Sequence, residues 1–303
     1  MTLLLSIFAD DILPILVVAL VGFLLARYLH ADVKTLSRVT LYALTPCLVF
    51  NILATSKISV AELGRMALFA VCTVLGIGLL TRLATLPLRL DRATASACMI
   101  VVMFANGGNY GLPLTLFAFG QEAMAHATIY FVVSVVLTYT VGIFLASSGQ
   151  HSLRGALLSV FKMPVVYAVA VALVVVITKT TLPLPVLRPI QLLSNAAIPV
   201  MILVLGMQLE RAAIPVRPLL VGMATTLRLI VAMVLGLALA PILGLTGAAR
   251  QAGVVQAAMP TAVVTTILAL EFQIDPSLVT GVVFLSTLLS PFTLTLLIAF
   301  LQR

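Results

Sequence analysis

Apolar residues run through this chain in blocks, with short polar clusters between them, and the blocks approach the roughly 20 residues an α-helix needs to cross a hydrocarbon layer. The pattern predicts ten membrane spans, at about 11–29, 36–55, 63–85, 93–119, 123–146, 156–178, 187–209, 217–240, 249–270 and 277–301. The connections carry the punctuation: Lys57, Arg89–Asp91, Gln121–Glu122, Gly149–His151, Pro183–Pro185, Arg211–Pro215, Gly244–Gly247 and Gln273–Pro276. None of them has the length of a soluble domain, so the chemistry is expected in or beside the membrane. The first block reads as a span and not a cleaved leader, because Asp10 and Asp11 precede it, a basic segment is missing and it reaches spanning length.

Composition sharpens this picture. The chain is 62% hydrophobic and 9% charged, against roughly 45–50% and about 25% for a soluble domain. A soluble fold could not hide that much apolar side chain, so lipid is an expected partner. The net charge of +8 comes from Lys and Arg scattered in ones and twos without interleaved aromatics, which argues against a nucleic-acid partner. Counted on alternate sides of the spans, ten basic residues (among them Arg27, Lys34, Arg89, Arg154 and Arg211) oppose six (among them Lys57, Arg65 and Arg250). The ten-charge side is expected to be cytoplasmic, with both termini on the other side of the cell membrane. Cys47, Cys72 and Cys98 lie within apolar blocks without metal-ligand spacing, and read as small buried hydrophobes.

The connection near 147–155 divides ten spans into five and five, and an odd number per half makes the halves inverted in the membrane. Residues 1–147 and 148–303 are therefore the expected repeats. Pro46, in Tyr42-Ala43-Leu44-Thr45-Pro46, and Pro199, in Asn195-Ala196-Ala197-Ile198-Pro199, each stand mid-span, four residues after a polar one. Pro113 and Pro260 recur at nearly the same offset, about 150 residues.

The fourth span carries Phe104-Ala105-Asn106-Gly107-Gly108-Asn109-Tyr110-Gly111-Leu112-Pro113-Leu114, a poor helix interior. A helix broken in hydrocarbon frees N–H and C=O groups, and survives only where it is buried in protein or lines a cavity. Small-residue packing would explain Gly107 and Gly111, but not two asparagines beside Pro113. The ninth span offers a matching break at Pro260, with Thr261 and Thr265 available to re-satisfy freed groups. Discontinuous helices near mid-depth are a recurrent device for ion and substrate sites in carriers.

Arg228 is the one charge at the centre of a span, and all nine Asp and Glu sit at span ends or loops. Its partner must be backbone carbonyl, water or a bound anion, and a guanidinium fork suits a carboxylate. A substrate-facing role competes with snorkelling to the interface. Asn51, Asn195 and Gln208 are further intramembrane amides, and Asn51 and Asn195 are candidates for the path. Neither acid nor histidine is placed mid-membrane, so the usual proton-relay groups are not expected there. Motifs for intramembrane proteolysis, serine hydrolysis and ATP hydrolysis are missing, which argues against an enzyme.

Asn106-Gly107-Gly108-Asn109-Tyr110-Gly111-Leu112-Pro113-Leu114, together with Ala258-Met259-Pro260-Thr261-Ala262, resembles the auxin efflux carrier family. Leu44–Asn51 and Ile198–Met207 resemble it too, so the likeness covers nearly the whole chain. The compact length is similar to its bacterial malonate and malate branch. The resemblance implies an all-α membrane protein with a bile acid–sodium symporter-like fold: ten helices in two inverted five-helix repeats, with broken fourth and ninth helices that cross at the substrate site. It implies a scaffold of helices 1, 2, 6 and 7, a transport domain of helices 3–5 and 8–10, elevator-type alternating access and a homodimer. By that likeness Asn106, Gly107, Asn109, Tyr110, Pro113, Pro260 and Thr261 fall at the crossover, with Arg228 beside it.

The expected function is a secondary carrier for small mono- or dicarboxylates such as malonate, malate or auxin-like acids. No cofactor is expected, and coupling to sodium or protons is open. The competing readings are a sodium-coupled symporter of the bile acid type and, in a different class, a channel or non-transporting receptor.

Overall fold

The computed structural model describes residues 2–56, 58–147, 158, 160–210 and 217–303. Lys57, the Gly149–His151 connection with Arg154, and the Arg211–Pro215 connection lie outside the described residues. The described chain is helical, and its only β-type pairing is a single antiparallel bridge between Ala105 and Thr261. Helices satisfy every backbone group within one segment, which is what an apolar solvent demands.

The helices in chain order are α1 (Leu3–Leu29), α2 (Val33–Thr55), α3 (Val60–Leu88), α4 (Arg92–Met103), α5 (Gly107–Ala146), α6 (Pro164–Thr178), α7 (Leu184–Glu210), α8 (Pro218–Ile242), α9 (Gly247–Ala258), α10 (Val264–Phe272) and α11 (Pro276–Leu301). Seven of them, α1, α2, α3, α5, α7, α8 and α11, are long and apolar enough to cross a membrane. α4 and α6 are shorter apolar helices. Helix starts follow local chemistry. The Asp32 carboxylate caps α2 by accepting from the Lys34 and Thr35 amides, and Ser59 with Glu62 forms a reciprocal capping box on α3.

One expectation is corrected here. α1 starts at Leu3 and not near residue 11, because Leu3–Leu5, Ile7 and Phe8 extend the apolar block past the two acids. Asp10 and Asp11 therefore lie inside the helix, within a wider π-helical turn at Phe8–Ile12, and Asp11 is buried. His126 is buried in α5, just past Gly120.

The fourth and fifth expected spans are joined more tightly than Gln121–Glu122 implied. Gly120, at φ 78°, interrupts α5 in a conformation that suits glycine alone. The ring of Phe131 packs on Gly107 and Gly108, almost as far after Gly120 as they are before it, so the chain doubles back at that residue.

Packing gathers the helices into two groups. α7 lies along α1 and α2, and α6 lies along α2. The α1–α7 seam is close enough that a Cβ on Gly22 would strike the Leu203 carbonyl, and one on Gly206 the Ala19 carbonyl. Arg27 and Glu210 pair at 3.3 Å at its end. In the other group, α5 packs on α3 and α9, α8 on α9 and α11, and α3 on α4. Arg217 ties α4, α8 and α11 together, pairing with Asp275 at 3.0 Å and donating to the Thr94 hydroxyl at 3.1 Å. Thr94 in turn donates its amide and hydroxyl to Asp91, which holds that carboxyl below its usual range.

Candidate functional site

Two chain interruptions meet inside the second group. α4 ends at Met103, Phe104 is extended, and Asn106 makes a tight turn in which Gly107 N–H donates to the Ala105 carbonyl at 2.8 Å before α5 begins at Gly107. α9 ends at Ala258, and α10 resumes at Val264. The freed backbone groups pair across the gap: Asn106 N–H donates to the Pro260 carbonyl at 2.7 Å, and Ala262 N–H to the Phe104 carbonyl at 2.9 Å. Thr261 is spent on the same repair. Its hydroxyl donates to the Val101 carbonyl at 2.8 Å, and its amide donates to Ser286 Oγ at 3.1 Å. Two breaks that would each be costly in lipid thus satisfy one another.

Behind the breaks stands Arg228, 2% exposed, in a π-helical turn at Leu227–Val231. Nη1 donates to the Val102 carbonyl at 2.7 Å and the Met103 carbonyl at 3.4 Å, and Nη2 donates to the Ala257 carbonyl. These are the orphan carbonyls at the C-terminal ends of α4 and α9, where a positive charge is favoured. Backbone carbonyl, one of the partners considered from sequence, is therefore a partner of Arg228.

In front of the breaks lies a cavity of about 200 Å³. Asn106, Gly107, Gly108 and Asn109 line it, facing Phe131, Ser134 and Thr138 of α5 and Met201, Val204 and Gln208 of α7. Thr40 and Thr45 of α2 and Ala262–Val264 complete the wall. Three π-helical turns border it: Thr40–Leu44, Gly107–Gly111 and Thr138–Gly142. Such turns widen a helix at sites of function, since an inserted residue re-aims side chains and loosens the hydrogen-bond ladder. Gln256 of α9 is wedged against the first turn of α5: a Cβ on Gly107 or Gly111 would stand 2.5 or 2.7 Å from its Oε1. Here glycine is required by close approach.

Two lining groups, Asn106 Nδ2 and Ser134 Oγ, are buried without a hydrogen-bond partner. Asn109 Nδ2 reaches Gln208 Oε1 at 3.5 Å. Buried polar groups are normally paired, so orphans beside a cavity mark a place where a ligand or water completes them.

The sequence-predicted residues divide accordingly. Asn106, Gly107 and Asn109 line the cavity. Tyr110 is buried one residue further on, and Pro113 lies in α5 beyond the break, so it is not the counterpart of Pro260. Pro260 and Thr261 are in the second break but consumed by its repair. Arg228 lies behind both breaks. Asn51 lines a separate cavity and donates to Ser194 Oγ at 3.2 Å, and Asn195 is exposed on the outer face of α7.

Sequence reading missed Ser134, Thr138, Thr40 and Gln256, and gave Gln208 less weight than Asn195. Helical spacing contained the signal. Ser194, Ala197, Met201, Val204 and Gln208 recur at three- and four-residue steps on one face, the first four of them buried. Asn195 is rotated about 100° from Ser194.

A family model described as membrane transport protein matches residues 7–298. An uncharacterised transporter of Methanothermobacter thermautotrophicus is 26% identical over 294 residues, covering 95% of this chain and 96% of that protein. A second uncharacterised transporter, from Methanocaldococcus jannaschii, is 23% identical over 293 residues, covering 93% and 94%.

Proposed function

We propose that this chain, which belongs to the membrane transport protein family with its auxin efflux carrier-like motifs, is a secondary carrier for small mono- or dicarboxylates. It is a multi-span helical transporter and not an enzyme. The observation that carries the substrate class is the pair of unpartnered polar groups, Asn106 Nδ2 and Ser134 Oγ, on a cavity bordered by the N-terminal turn of α5. A helix N-terminus presents partial positive charge and amide donors, which favour an anion. Asn106, Asn109 and Gln208 add neutral donors for its remaining oxygens.

Alternating access follows from who owns the walls. α2 and α7 contribute one side, and α5 with the 262–264 segment contributes the other. We assign α1, α2, α6 and α7 to a scaffold and the remaining helices to a transport domain that slides against it. This is the elevator arrangement, with ten spans in two inverted repeats. Arg228 then holds the two half-helix ends together as the domain moves, instead of clamping substrate. The charge count favours a cavity on the cytoplasmic side of the cell membrane, with both termini opposite. Exposed Gln191 and Asn195 on α7 are suited to pairing with a second copy.

Arg228 also argues against the sodium-coupled reading. The carbonyls at the two half-helix C-termini are where a coupling cation would bind, and a fixed guanidinium already occupies them. The test is uptake of labelled malonate, malate and an aryl acetate into proteoliposomes, with sodium and with choline. Uptake of at least one acid, equal in both salts and reduced about tenfold by Asn106→Ala, is expected. Uptake of none, or an Asn106→Ala variant that transports like the parent, overturns the reading.

A further inference from the structure

A second cavity, of about 480 Å³, opens between the end of α2, the start of α3 and residues 121–126 of α5, just past the Gly120 bend. α2 and α5 contribute to both cavities, and none of the residues in this wall lines the substrate cavity. His126 contributes to this wall, is 2% exposed, and its Nδ1 has no hydrogen-bond partner. Burial opposes charging the imidazole, and Glu62 and Glu122, which line the same space, favour it. The other polar groups around it, Asn51, Thr55, Ser56 and Gln121, are neutral. Among the described residues, Arg65, which acts on Glu62, is the cation of the neighbourhood, and no further charged group acts on His126.

We propose that His126 is a proton-binding site whose occupancy sets the balance between the two states of the carrier. The imidazole takes a proton from water in the cavity, forming one N–H bond and an imidazolium in the same wall as two carboxylates. Protonating the ring makes the cluster less negative by one charge. Closing the cavity strips water from that cluster, and the lower net charge makes the stripping less unfavourable. The cavity has α2 on one side and α3 with α5 on the other, so its closure accompanies movement between the two helix groups. Acid on this side therefore favours the closed mouth. The coupling half of this inference rests on the carrier reading, whereas the binding half does not.

Histidine-labelled protein in nanodiscs, titrated by NMR from about pH 4 to about pH 9, reads the site directly. The chain has three histidines, and His126→Gln assigns the resonance. The His126 signal is expected to titrate, with a midpoint that falls by roughly half a pH unit or more in Glu122→Gln and is equal in sodium and choline salts. A signal that does not titrate, a midpoint unmoved by both Glu122→Gln and Glu62→Gln, or one that shifts with sodium overturns the proposal. In proteoliposomes, malonate uptake at an external pH of about 6 is expected to exceed that at about 8 by roughly threefold or more, and the ratio to fall to about one in His126→Gln. An unchanged ratio in that variant overturns the coupling. If no acid is taken up at all, the carrier reading fails, and the titration still decides the proton site.

Discussion

The two interruptions meet at one bridge but are chemically unlike. The first, at Phe104–Asn106, is followed by a glycine-rich π-helical turn and lines the cavity with two asparagines, one of which has an unpaired amide. The second, at Met259–Val263, has a proline whose carbonyl and a threonine whose amide and hydroxyl bond other parts of the fold. One break displays its polar groups and the other uses them to hold the first in place. A broken helix in a membrane is thus two problems, solubility of the backbone and presentation of a site, and here each half of the chain takes one of them.

The largest effect is expected where the two breaks share a single anchor. Arg228→Leu leaves the Val102, Met103 and Ala257 carbonyls without their donor. The guanidinium itself has Nε unpaired, so the parent already carries part of its desolvation. Leaving a buried carbonyl without its donor costs about 1–3 kcal/mol each, and the variant leaves more than one. Thiol-reactive dye labelling on heating follows unfolding through Cys98, which is fully buried in α4. An Arg228→Leu variant as stable as the parent would detach this side chain from both breaks, while Arg228→Lys should fall between, because an ammonium lacks the fork.

Next comes the wedge between the halves. Gly111→Ala puts a Cβ 2.7 Å from Gln256 Oε1, and such overpacking costs about 1–3 kcal/mol. Because the obstacle is the end of a flexible side chain, Gln256→Ala should restore most of that loss in the double variant. A double variant whose losses simply add would mean the strain lies in the π-helical turn itself.

How much of this was legible can be argued from the same residues. Hydropathy blocks marked the helices, since burial in lipid imposes a length and little else. The first break was legible because Asn106, Gly107, Gly108 and Asn109 are wrong for a helix interior. What pairs with the break was not legible, because Thr261 and Ser286 look like ordinary small polar residues until the chain brings them within hydrogen-bond reach. The offset between Pro113 and Pro260 misled for a related reason: proline tolerates the first turn of a helix as well as a break, and the two occupy different places. Asp11 was misplaced because two adjacent acids look like the end of an apolar block, although a π-helical turn carries them within one. Arg228 was noticed by charge alone, but its carbonyl partners Ala257 and Val102 are 29 and 126 residues away and no local pattern encodes them.

A smaller effect separates presentation from support. Asn106→Ala removes an amide nitrogen that has no partner in the protein, so little stability should be lost. Malonate uptake should still fall about tenfold, equal to roughly 1.4 kcal/mol. Equal damage to uptake and to thermal stability would place Asn106 among the supporting groups.

The mirror experiment on the second break should give the smallest change and the opposite pattern. Thr261→Val keeps the shape of a buried side chain and deletes one donor, the hydroxyl that meets the Val101 carbonyl at 2.8 Å. A neutral hydrogen bond of this kind contributes about 0.5–1.5 kcal/mol. The Thr261 amide keeps its bond to Ser286, and the bridge to Ala105 is untouched, so the break should stay closed. The dye-labelling midpoint should drop by a few degrees while malonate uptake, measured well below that midpoint, stays within about twofold of the parent. If uptake instead collapsed with little change in stability, Thr261 would be meeting the substrate directly. The two breaks would then share the binding chemistry that the orphaned amide and hydroxyl now assign to the first half of the chain.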